Sequence, residues 1–224
     1  MPDDDVSQKY FQYFAPATFV TELDSPPAFH HLTSRLEETF PFTALYLPKE
    51  EILACVEEKL PTLERALSLV EIYSENLCWL WQPVEREQII QEIIPYIYGR
   101  HQQSPSSTPL DPSTRNSHLA GVCPHVLALL FAIFACGAVV DLNLLPWNEE
   151  AELYYHLSRT ALTLKPVFDG AGLHAVQAIA LLGEYDLFSC RKTDLEGSWK
   201  VMTFAMFLGA SVRYSAICLV VVSF

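Results

Sequence analysis

The chain has 224 residues, half of them hydrophobic and 12% aromatic, which is enough apolar side chain for a sizeable core and excludes wholesale disorder. Its 14 Lys and Arg stand against 27 Asp and Glu, a net charge of -13, so phosphate neutralisation cannot drive binding and direct nucleic-acid recognition is excluded. The charge is uneven: residues 1–110 carry 7 basic and 17 acidic groups, residues 111–224 carry 7 and 10, and the first half is expected to be the better solvated.

Residues 1–47 mix Tyr10, Phe11, Tyr13, Phe14 and Phe19 with prolines and short polar stretches, a pattern that suits an irregular segment laid over a core. Helical signals begin at Pro48, where Glu50 and Glu51 meet the positive end of a helix dipole and Ile52, Cys55 and Val56 recur at helical spacing. Pro61 closes that helix and opens a second, with Leu63, Leu67, Val70, Tyr73 and Leu77 as its predicted stripe through to Trp81. A third is predicted from Pro83, with Ile89, Ile90, Ile93 and Ile94 on its apolar face and its end near Pro95 and Gly99.

Residues 101–117 are rich in Ser, Pro and Thr with Leu110 as the lone aliphatic, and are expected to be a flexible insertion. The uncharged run Val126–Val140 follows. Its 15 residues, rising ~1.5 Å each, span about 22 Å against about 30 Å of hydrocarbon, so a central buried helix is predicted rather than a membrane span. Ala132, Ala135, Cys136, Gly137 and Ala138 leave room for neighbouring helices to approach.

Asn148 is placed to cap the next helix, with Leu153, Leu157, Ala161 and Leu164 as one stripe and aromatic residues on a second face. Asp169-Gly170 reads as a turn, and Leu173–Phe188 as a helix with Val176, Ala180, Gly183 and Leu187 on one face. A last helix is predicted near Ser198-Trp199, while Ile217–Val222 has the β-branched content of a strand. The class is all-α, an antiparallel assembly of stacked helical hairpins over residues 48–210.

Six cysteines without any CxxC pair, behind an acidic Met1-Pro2-Asp3-Asp4-Asp5, point to a reducing compartment and give no local support to a zinc site. Three groupings invite a chemical reading: His30-His31, Cys123-Pro124-His125 and Glu152/His156. Glu152 and His156 share a helix face at i,i+4, but bundle metal sites need a second such pair and further carboxylates, so a surface hydrogen bond is expected. Cys123 and His125 are expected to diverge, and His30-His31 to face solvent. Nucleophile-elbow, P-loop, dinucleotide and HExxH signatures do not occur.

Three segments together resemble the fungal-specific transcription factor domain, the middle homology region of binuclear zinc-cluster regulators. Ala66–Tyr98 carries a leucine-x-x-x-tyrosine step and then tryptophan-x-x-x-proline-valine-x-arginine. His125–Tyr155 resembles the family's alanine-rich helix, joined to a tyrosine-tyrosine-x-x-serine-arginine-x-x-leucine helix at Tyr154, Tyr155, Ser158, Arg159 and Leu162. Val176–Tyr185, VQAIALLGEY, with Ser198-Trp199 after it, is similar to the best-known stretch of that domain, and the likeness covers about residues 5–210.

The resemblance implies a regulatory domain of a nuclear transcription regulator with no catalysis and no cofactor of its own. Zinc would belong to a cysteine-rich reader that this chain lacks, and the resemblance leaves three alternatives: the reader was lost, it lies upstream of a truncated gene model, or the protein acts through a partner. Implied partners are proteins, either a second copy or another zinc-cluster factor, with DNA reached only indirectly, a small-molecule effector as an option and no membrane. Tyr154, Tyr155 and Trp199 are candidates for core or pocket aromatics. Residues 211–224 depart from the family pattern and are expected to be a non-homologous tail. Two other classes compete: a cofactor-independent helical lyase or hydrolase using His125, His156 or Glu152, and a small membrane-associated protein using 126–140 and the tail.

Overall fold

A computed structural model describes residues 49–102, 122–145, 148–168, 172–189 and 195–222. The irregular segment 1–47, His30-His31, most of the insertion 101–117 and the Asp169-Gly170 turn lie outside the described residues. Seven helices follow one another: α1 (Lys49–Glu58), α2 (Leu63–Asn76), α3 (Arg86–Gln88), α4 (Ile94–Gln102), α5 (Pro124–Val139), α6 (Glu149–Thr163) and α7 (Leu173–Phe188), and an eighth, α8 (Leu195–Val222), completes the order. A π-helical stretch, Ile89–Ile93, joins α3 to α4. Among the described residues there is no strand, and the class is all-α.

The architecture is organised around α5. Its 14 consecutive residues from His125 to Ala138 are all buried, because α2, α6, α7 and the π-helical stretch surround it. A helix apolar on every side needs such enclosure to escape water. Among the described residues no helix is long and apolar enough to cross a membrane.

Close approach depends on small residues at two crossings. A Cβ on Gly137 would stand 2.3 Å from the Leu69 carbonyl oxygen of α2, so only glycine lets these backbones meet there. At the second, Ser198 of α8 donates its hydroxyl to the Gly183 carbonyl of α7 at 2.6 Å. Paired contacts fix directions. Ser158 Oγ donates to the Ala128 carbonyl at 2.8 Å, and Asn148 Nδ2 to the Ala138 carbonyl at 2.8 Å, which makes α5 and α6 an antiparallel hairpin. Asn148 also caps α6, accepting the Ala151 N–H at 2.7 Å.

Four expectations need correction. The stripe of α2 is Ala66, Leu69, Val70 and Tyr73, whereas Leu63 and Leu67 face outward and the helix stops at Asn76. The third helical region runs through Pro95 and Gly99 to Gln102. Proline lacks a donor and its ring clashes with the carbonyl four residues back, but the widened π turn before it relieves both, with Ile94 N–H bonded to the Ile89 carbonyl.

The β-branched run Ile217–Val222 belongs to α8, whose backbone continues unbroken from Leu195. Strand propensity there had no neighbouring strand to pair with, and helix propagation from the preceding turns prevailed. Trp199, expected in a core or pocket, is 67% exposed, because α8 turns Ser198, Ala205 and Leu208 inward and leaves position 199 on the outer face.

Candidate functional site

The least conventional chemistry lies where α2, α5 and α7 converge. Glu184, one residue beyond the Gly183 crossing, is 1% exposed, and neither carboxyl oxygen has a hydrogen-bond partner among the described residues. It comes to rest inside because α7 is apolar almost all round, from Ala175 to Tyr185, so no face of that helix is left for a charge. Burial pushes its pKa up to about 7. Near neutral pH the side chain is therefore divided between its protonated and its charged form.

Tyr73 of α2 and Cys136 of α5 sit in its field, with Cys78 beyond the end of α2. The Tyr73 hydroxyl is fully buried with the Cys78 thiol beside it and, among the described residues, no oxygen or nitrogen partner. Cys136 Sγ points at the Leu181 carbonyl, 3.4 Å away. Burial raises the pKa values of Tyr73, Cys78 and Cys136 alike, so the thiols are inert as nucleophiles in this setting.

The tyrosines on α6 point to opposite sides of its buried face. Tyr154 packs on Phe131 and Phe134 of α5, with ring centroids at 6.0 and 5.5 Å, and donates its hydroxyl to Glu150 at 3.1 Å. Tyr155 stacks on Tyr185 of α7 at 4.6 Å, and the Arg159 guanidinium lies 5.6 Å from its ring centre. Burial raises Tyr155 and also Asp186 beside it, although the Tyr155 hydroxyl and Arg159 oppose the shift in Asp186. Both tyrosines are core residues; Trp199 shares neither environment.

The remaining candidates occupy separate places. His125 is buried at the start of α5, with Nε2 3.3 Å from the Lys165 carbonyl and Nδ1 without a partner among the described residues, and burial lowers its pKa. Cys123 lies 4.0 Å from Lys165 Nζ, so the two side chains expected to diverge both engage Lys165, one through its carbonyl and one through its ammonium. Glu152 and His156 approach to 3.6 Å, and Glu152 accepts a hydrogen bond from the Tyr185 hydroxyl at 3.4 Å. In the α5–α6 hairpin this pair lies more than one helical turn from His125, because Ser158 marks the level of Ala128.

Among the described residues no group of three or more His, Cys, Asp or Glu side chains could hold a metal ion. No family model, curated protein or solved structure matches the chain. Sequence periodicity missed Glu184, since it stands at an apolar position of the helix and reads as an ordinary surface carboxylate. Its neighbours in VQAIALLGEY were the available signal: a single charged residue in a ten-residue run that is mostly apolar.

Proposed function

We propose that this chain is a regulatory and interaction domain of a nuclear transcription regulator of the zinc-cluster type, acting through protein partners and carrying no reaction of its own. The observation that carries this reading is the common neighbour of the three family-like segments. Ala66–Tyr98 lies on α2, α3 and α4, His125–Tyr155 on α5 and α6, and Val176–Tyr185 with Ser198-Trp199 on α7 and α8. Helix α5 packs against α2, the π-helical stretch, α6 and α7, so the segments that resemble one family are parts of one core.

Glu184, Tyr73 and His125 are buried, and Tyr154, Tyr155, Ser158 and Leu162, the positions that resemble the family pattern, pack inside the same core. A strongly acidic surface reaches DNA only through another module or another protein. Zinc has its place in such a module, and a small effector or a second copy remains compatible with the helical body.

The test is to tether the full chain to a heterologous DNA-binding module in fungal cells and read a reporter downstream of its operator. The expected result is nuclear accumulation and a reporter level shifted severalfold from the module alone. An unchanged reporter, or turnover of a metabolite by the purified chain, overturns the reading.

A further inference from the structure

The turn between α2 and α3 is built rigidly and yet presents its largest side chains to water. Leu77 and Val84 are buried at its two ends. Between them Trp79 is 75% exposed, Leu80 49% and Trp81 39%. The Leu80 N–H is bonded to the Leu77 carbonyl at 3.0 Å, and Gln177 of α7 donates to the Pro83 carbonyl at 2.9 Å. Trp79 is held as well, its indole N–H donating to the Asn76 carbonyl at 2.7 Å. Two tryptophans and a leucine are thus displayed on a frame that is already paid for in order, although the fold gains little burial from them. Tryptophans in that state are the residue type that dominates binding energy at protein interfaces.

The surroundings of the patch decide what fits it. From residue 71 to 92 the chain carries Glu71, Glu75, Glu85, Glu87 and Glu92 against a single basic residue, Arg86, and Arg86 is engaged by Glu71. Glu75, Glu85 and Glu87 are exposed. Exposed carboxylates close in sequence to exposed indole faces favour cations twice, through charge and through the negative face of the ring. A second copy would bring the same carboxylates and another charge of -13, and nucleic acid or an anionic membrane would be repelled in the same way.

We infer that Trp79, Leu80 and Trp81, together with Glu75, Glu85 and Glu87, form a docking surface for a basic segment of a partner protein, with Lys or Arg side chains laid over the indoles and an aliphatic residue against Leu80. This rests on the reading of the chain as an interaction domain and names the chemistry of its partner. Arginine is the better fit, since its guanidinium stacks on an indole while still reaching a carboxylate.

The test selects phage-displayed random nonapeptides on the full chain and then measures one selected peptide against two variants, W79A/W81A and E75Q/E85Q/E87Q. All five substituted positions are exposed, and an unchanged thermal melt confirms that each variant is folded. The surface requires enrichment of Lys and Arg over the input library. It also requires affinity lower by about tenfold or more in both variants and weakening with added salt. Enrichment of acidic or uncharged peptides overturns it, as does equal affinity for W79A/W81A, or binding to phosphatidylcholine vesicles that depends on the two tryptophans. If these outcomes go against the surface while the tethered chain still shifts its reporter, the docking surface falls and the interaction-domain reading stands.

Discussion

Arg65 and Asp141 meet across 76 positions of sequence, the guanidinium Nη2 lying 3.2 Å from Asp141 Oδ2. The same guanidinium reaches Glu150 at 2.7 Å, so one side chain ties the start of α2 to the end of α5 and the first turn of α6. Asp141 is nearly fully buried. Burial works against its charge, but hydrogen bonds from Asn143 and from Arg65 outweigh it and hold the carboxyl below its ordinary pKa, while the Glu150 contact leads in raising Arg65.

Removing the cation should therefore cost more than a surface ion pair would. Arg65→Ala leaves Asp141 buried with only the Asn143 hydrogen bonds to hold its charge, and a loss of about 2 to 3 kcal/mol is expected in urea unfolding. Arg65→Lys should recover part of that loss only, since an ammonium cannot bridge both carboxylates as a planar fork does. Because the folded pKa of Asp141 is depressed, this contribution is present above the ordinary carboxylate pKa and is lost as pH falls through the folded value. A loss below about 0.5 kcal/mol for the alanine variant would show the bridge to be ornamental.

Glu184 has the opposite sign. Its folded pKa stands at about 7 against an ordinary 4.5, so between those values the folded chain keeps a proton that the unfolded chain has released. Stability should be highest below that window, fall across it and level off above it, by on the order of 3 kcal/mol. Glu184→Gln should flatten the decline and be the more stable protein at pH 8. Unfolding curves for the two chains that run parallel from pH 4 to pH 8 would contradict this.

Gly137 and Gly99 make a paired test of close packing. A methyl group at 137 would strike the Leu69 backbone, which has no freedom to yield, whereas one at 99 would meet nothing within 4 Å. Gly137→Ala should destabilise by about 3 kcal/mol or more, while Gly99→Ala, in mid-helix, should stabilise by up to about 1 kcal/mol. Equal effects in thermal melts would mean that α2 and α5 do not cross as described.

The aromatic candidates should separate just as clearly. Tyr154→Ala opens a hole between Phe131, Phe134 and α6, with an expected cost of about 3 to 5 kcal/mol, whereas Trp199→Ala should stay within about 0.5 kcal/mol. Comparable losses for the two would restore Trp199 to the core.

Much of this fold is legible in the chain because local and tertiary demands agree. Leu173–Phe188 has the limits that periodicity predicts, Asn148 caps the helix it precedes, and the apolar run after Pro124 is the buried centre. What sequence reading misses depends on neighbours. The face of α2 includes Leu69, whose backbone lies against Gly137, the passage through Pro95 depends on a π turn that periodicity cannot register, and the helical state of Ile217–Val222 on the turns before it. At the candidate site, the tyrosines of α6 stood out as a pair, but the isolation of Glu184 and the outward face of Trp199 are properties of the packed body.

The account stands on a single cooperative core with α5 at its centre, packed against α2, α6 and α7. Native-state hydrogen exchange measures this directly. The amides from Leu127 to Cys136 should exchange most slowly of all and only through global unfolding, with the same free energy that urea denaturation gives. Exchange in α5 that is faster than in α2 or α6, or that proceeds through a separate partial opening, would contradict it.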